Sequence, residues 1–203
     1  VGDRIELHRG FTLLELLVVL VIVGIMTSLA LLSFGVLGRD SQAEEEARRF
    51  WTVLQQAREE AELQVEDFGI FVTATGYEFL RFDSRRNQWL AIGYDELFQA
   101  RELPEGLRFR LHLEGREVIL KPSFPNRGDK DENDRHPPHV IVLSSGEVMP
   151  FELEIERDGE PALWRVTGLA NNDLRIELRD ERNQWMPMLQ TKPPPEDPRN
   201  PRS

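Results

Sequence analysis

The chain of 203 residues contains no cysteine, and that absence removes disulfide frameworks, thiolate nucleophiles, iron–sulfur ligation and cysteine zinc sites together. It leaves the redox compartment open, because an oxidising space permits disulfides without requiring them. Histidine is nearly as scarce, with only His8, His112, His136 and His139 in the whole sequence. Basic residues are outnumbered by acids, 25 to 36, giving a net charge of −11. A basic field able to grip phosphate backbones is therefore excluded, and nucleic acid is not an expected partner. What is present is a 40% apolar content, enough for a packed core and too much for disorder throughout.

Those apolar residues are unevenly spread. Mean hydropathy is −0.43, yet no charged side chain occurs from Leu16 to Gly38. As a helix this run extends ~35 Å, longer than the roughly 30 Å hydrocarbon layer of a bilayer, so one membrane span fits. A fully buried core helix is the alternative, but the remaining chain is too polar to surround the run on every side. A secretory signal peptide would place Arg4, His8 and Arg9 before a shorter apolar core with a small-residue cleavage site after it. Glu15 separates this segment from a generic anchor, because a carboxylate in a membrane segment costs roughly 2.5 to 3.5 kcal/mol and needs a partner or a polar route. Cutting after Gly10 would leave a free α-amino group on Phe11 at the same depth in a neighbouring chain, and a helix N-terminus also favours the acid. An interfacial acid solvated by headgroups is the plain alternative.

The residues Arg9-Gly10-Phe11-Thr12-Leu13-Leu14-Glu15, followed by the apolar stretch, resemble the type IV prepilin signature. The leader is less basic than many, since Asp3 and Glu6 offset Arg4 and Arg9. The resemblance implies that an inner-membrane prepilin peptidase cuts between Gly10 and Phe11 and methylates the new amine of Phe11. It also implies that Glu15 aligns an incoming subunit against the amine of its neighbour during filament assembly.

Beyond the membrane run, Ala43, Ala47, Phe50, Leu54, Ala57 and Ala61 recur at alternating spacings of four and three, the stripe of an amphipathic helix. Residues 11 to about 66 are thus expected to form one helix of ~80 Å whose second half lays its seam on a globular domain. A two-stranded coiled coil is the alternative, weakened by few heptads and alanine-rich positions. From Phe68 the period changes to two. Segments such as FGIFVTAT, YEFLRF, LRFRLHL, HVIVL, VMPFELEIER, ALWRVTGL and LRIELRD read as strands with one apolar and one wet face. Glu114-Gly115 reads as the turn between two of them, and Ser144-Ser145-Gly146 as a hairpin turn between HVIVL and VMPFELEIE. The expected fold class is α+β, type IV pilin-like, with the long helix packed on antiparallel β-sheets. The expected divisions are a leader 1–10, a transmembrane helix 11–38, an amphipathic helix 39–66 and a β-rich domain 67–185.

Two segments break the pattern. Residues 122–138 are too polar and turn-rich for a core and read as a protruding charged loop, in which Asp129, Asp131, Asn133 and Asp134 alternate as calcium ligands do, without the glycine and distal glutamate in register. A solvated charge run is the preferred reading. The proline-rich residues 186–203 are expected to lie outside helix and sheet as an extended, disordered tail. Catalysis finds no support. No nucleophile stands beside a base, glycine-rich phosphate loops are missing, and His136 and His139 lack a third metal ligand. No cofactor, resident metal or enzymatic activity is expected.

The arrangement of VIVLSSGEVMPFELEIE and WRVTGLANNDLRIEL resembles the general secretion pathway protein H family, minor pseudopilins of type II secretion, within the type IV pilin-like superfamily. That resemblance implies a low-copy subunit at or near the tip of a periplasmic pseudopilus that drives folded exoproteins through an outer-membrane secretin. Its implied partners are the other minor pseudopilins, the major pseudopilin, the prepilin peptidase, the inner-membrane assembly platform and secreted exoproteins. A fimbrial T-like minor type IV pilin in pilus assembly or DNA uptake, and a membrane-tethered binding domain that never polymerises, are the alternatives.

Overall fold

The computed structural model describes residues 13–92, 95–124 and 137–191, without the side chains of 27–40. It divides into two compact units, Val1–Ser41 and Gln42–Ser203. One helix, α1, runs from Leu13 to Gln64. Leucine, isoleucine and valine make its N-terminal part apolar on every side, whereas from Ala43 the period narrows the apolar side chains to one stripe. Ala43, Ala47, Phe50, Leu54, Ala57 and Ala61 are all buried, as the spacing requires, together with Val53. The helix stops at Gln64, two residues before the expected boundary, because Val65 adopts a left-handed φ of 56° and the Glu66 amide turns back to the Ala61 carbonyl at 3.2 Å.

Among the described residues the strands that follow are β1 (Phe68–Thr73), β2 (Gly76–Asp83), β3 (Gln88–Ala91), β4 (Arg101–Glu102), β5 (Leu107–Leu113), β6 (Arg116–Val118), β7 (Val140–Val142), β8 (Phe151–Arg157), β9 (Glu160–Gly168), β10 (Leu174–Arg179) and β11 (Trp185–Gln190). They form two antiparallel sheets. The first has the order β3-β2-β1-β7 with β4 also paired to β2, and the second β11-β10-β9-β8-β5-β6. Alternation decides which face most strands bury, whereas β1 is buried along its whole length. Ile70, Val72, Tyr77, Phe79 and Val142 of the first sheet, and Phe109, Leu111, Leu153, Ile155, Val166 and Ile176 of the second, join the α1 stripe in one core. Phe50 sits at the centre, its ring 5.0 Å from Tyr77 and 6.4 Å from Phe79 on one side, and 6.4 Å from Phe109 and 6.2 Å from Phe151 on the other.

One expectation needs correction. Residues 186–190 are not tail but most of β11, in register with β10 from Arg175↔Gln190 to Arg179↔Trp185. Proline is tolerated there because β11 is an edge strand, and Pro187 stands opposite Glu177 where the register shifts. Trp185 is gripped by the guanidinium groups of Arg165 and Arg179, 4.5 and 4.6 Å from its ring centre. The Ser144-Ser145-Gly146 turn is present, with Gly146 at φ 77°, and closes a short antiparallel pairing in which the Leu143 amide donates to the Glu147 carbonyl at 2.8 Å and the Met149 amide to the Ile141 carbonyl at 2.9 Å. The chain returns only as far as the bridge Val142↔Val148 and then changes sheets, with β7 in the first and β8 in the second.

The outer face of the second sheet is a lattice of opposite charges. Arg165 reaches Glu152 at 2.8 Å and Glu177 at 2.5 Å, while Arg110 is paired with Glu117, Glu154 and Glu156. These arginines cover Glu154 and Glu177, so two acids are buried on a face that alternation alone assigns to water.

Candidate assembly surface

Gly10 and Phe11 lie outside the described residues, as do Asp129, Asp131, Asn133, Asp134 and His136. Glu15 is placed in the first turn of α1, where the helix dipole favours a carboxylate. Around it every large apolar side chain from Leu13 to Met26 is exposed, Leu13 at 90%. An all-round apolar helix surface bearing one acid is suited to lipid or to other helices and not to water. Among the described residues no helix is long and apolar enough to cross a membrane.

The second half of α1 is fixed to the β domain by polar contacts that sequence reading missed. Glu46 is only 4% exposed and accepts a 2.6 Å hydrogen bond from Arg101 Nη2. Burial first, and then the Glu46 carboxylate, push the Tyr77 phenol up to about 12 against the opposing Arg49 and Arg101. The bond to Glu46 likewise raises Arg101 above the usual arginine range. The signal was available, because Glu46 follows Ala43 by three and precedes Phe50 by four, inside the apolar stripe. Nearer the helix end, Arg58 Nε donates to the Gly146 carbonyl at 2.9 Å, and the Ser144 amide donates to Asp67 Oδ1 at 2.8 Å. These bonds fasten the crossover between the sheets to α1 and to the start of β1.

His139 is a structural residue. Its Nδ1 accepts the Val72 amide at 3.0 Å, its own amide donates to the Ile70 carbonyl, and its ring stacks on Phe71 at 5.0 Å. Among the described residues no group of three histidines or carboxylates could hold a metal ion. His112 stands on the outer face of β5, opposite Glu152. The contacts of Glu46, Arg58, Asp67 and His139 fasten the domain's elements together.

Residues 7–36 match the family model of the prokaryotic N-terminal methylation motif. The chain is 31% identical to the type II secretion system protein H of Pseudomonas aeruginosa over 83% of its length and 93% of that protein. To the protein of the same description from Vibrio cholerae it is 34% identical, over 83% of this chain and 93% of the other. The crystal structure of a minor pseudopilin from the type II secretion system of Vibrio cholerae superposes with a TM-score of 0.57 at 30% identity, covering 67% of this chain and 95% of that one. Helix, paired sheets and methylation motif thus coincide with sequence similarity over most of the chain, which belongs to the type II secretion system protein H family of minor pseudopilins.

Proposed function

We propose that the chain is made as a precursor, cut between Gly10 and Phe11 by a prepilin peptidase and methylated on the new Phe11 amine. Residues 11–38 then span the inner membrane once, and the β domain, 67–185, lies in the periplasm. As a non-catalytic subunit it joins the other minor pseudopilins and the major pseudopilin at or near the tip of the pseudopilus, on the inner-membrane assembly platform. There it helps move folded exoproteins toward the secretin. The observation that carries this reading is Glu15, an acid in the first turn of a helix whose neighbours from Leu13 to Met26 are apolar and outward-facing, inside the residues that match the methylation motif. In such surroundings a carboxylate is stabilised by a cation of matched depth, which the α-amino group of an adjacent subunit supplies.

The test is mass spectrometry of the chain from cells that hold the processing peptidase, combined with co-purification. The expected species begins with N-methylated Phe11, and Glu15→Ala is inserted and cut normally but recovered with the major pseudopilin about tenfold less, a loss of ~1.4 kcal/mol. Detection of the intact, unmethylated precursor alone would overturn the reading.

A further inference from the structure

At the end of β11 the chain is pinned to the start of β10. The Thr191 amide donates to the Leu174 carbonyl at 3.0 Å, and the Thr191 hydroxyl accepts from the Leu174 amide at 3.0 Å and donates to Asp173 Oδ1 at 2.7 Å. Asp173 is buried, so the carboxylate end of this clasp lies out of water. Because β11 runs antiparallel to β10, the chain leaves Thr191 beside the turn that joins β9 to β10, at the end of the second sheet where β8 begins. Ala170 and Asn172 of that turn, with Leu143, Glu147, Met149 and Pro150, line a depression of about 280 Å³. Its walls are held in place, since Asn172 donates to the Gly146 carbonyl at 3.1 Å and accepts the Val148 amide at 3.0 Å. Leu143 and Met149 are 37% and 43% exposed there.

Beyond Thr191 the sequence continues as Lys192-Pro193-Pro194-Pro195, outside the described residues. Neighbouring strands are roughly 4.8 Å apart, so the start of β8 is three spacings, about 14 Å, from the end of β11. A polyproline II segment rises about 3.1 Å per residue, and the four steps from Thr191 to Pro195 cover about 12 Å. The prolines thus have the reach to lie over the depression. Their rings are apolar, and a run of prolines has little backbone freedom left to lose on docking. We propose that these residues fold back as a strap, with the rings of Pro193, Pro194 and Pro195 on Leu143, Met149 and Pro150 and the Lys192 ammonium facing Glu147. Attachment through Thr191 favours this occupant, because a tethered segment competes at a high effective concentration. A second copy is a poorer one, since a net charge of −11 repels its like. Whatever else enters the depression must first displace the strap. The strap requires neither cleavage nor polymerisation.

Methionine oxidation tests the strap without altering the depression. Met149 is 43% exposed, and Met186 and Met188 on β11 are 50% and 51% exposed, so with the depression open hydrogen peroxide oxidises the three at similar rates. In the full chain in detergent micelles, read by fragmentation mass spectrometry of its peptides, Met149 is expected to react about tenfold more slowly than the other two, as for a site open about a tenth of the time. In a chain ending after Thr191, which keeps β11 and its clasp, Met149 should react as fast as they do. Pro193→Gly, Pro194→Gly and Pro195→Gly together should have the same effect, and Lys192→Glu should relieve part of the protection. An unchanged circular dichroism spectrum verifies the fold of each variant. Equal rates at the three methionines of the full chain overturn the proposal. So does protection of Met149 that survives the truncation, and so does protection lost on about tenfold dilution, which identifies a second copy as the occupant.

Discussion

Tyr77 is where one side chain reports on the seating of α1. Its phenol is raised to about 12 by burial and by Glu46, whereas in the unfolded chain it ionises near the ordinary value of 10.0. Between those two values the folded state holds the proton that the unfolded state has lost, so the stability contributed is complete below pH 10 and is lost as pH rises through about 12. A tyrosinate absorbance step near pH 12 is expected and should vanish in Tyr77→Phe, which should also flatten the fall in urea midpoint above pH 10. Val65 shows strain of a different origin. It is β-branched, exposed and left-handed, a conformation that crowds Cβ against the backbone and that glycine adopts freely. Val65→Gly is expected to raise unfolding stability by about 0.5–1 kcal/mol, measured by urea denaturation, because it removes strain without removing a buried contact.

At the level of elements, the parts that could be read from the sequence are those whose period is uninterrupted. The α1 stripe from Ala43 to Ala61 and the alternation of Leu107, Phe109 and Leu111 are each set by a single buried face, and the structure follows them residue by residue. The acid in the first turn was readable for a similar reason, being a carboxylate set directly against the start of a long apolar run. What escaped reading depends on partners far along the chain. β4 is two residues long and exists through its pairing with Gly76 and Tyr77. Glu46 is buried because Arg101 lies over it, and the chain changes sheets between β4 and β5, between β6 and β7 and between β7 and β8 through contacts no local pattern encodes. β11 was hidden by Pro187, whose composition signal outweighed the flanking Met186 and Leu189. Its contribution is testable by two truncations. Ending the chain after Gln184 uncovers Leu178 and removes the stacking of Arg165 and Arg179 on Trp185, and it should lower the thermal midpoint by about 2–4 °C relative to a chain ending after Thr191.

For the β domain as a whole, one helix serves both sheets. Phe50 touches aromatic rings of each, so Phe50→Ala should destabilise by about 3–5 kcal/mol and do so cooperatively. Fluorescence from Trp89, next to Phe82 of the first sheet, and from Trp164 in the core face of the second should then change at the same denaturant concentration, measured in single-tryptophan variants. Separate transitions would show that the sheets unfold independently.

The continuity of α1 from Leu13 to Gln64, with its seam from Ala43 to Ala61 keyed into two sheets, also has a mechanical meaning. Traction along the helix axis shears all of those side-chain contacts at once, whereas a sideways tug peels them one after another. Within its own unit the seam therefore holds best against a load along its axis and gives way most readily to one across it.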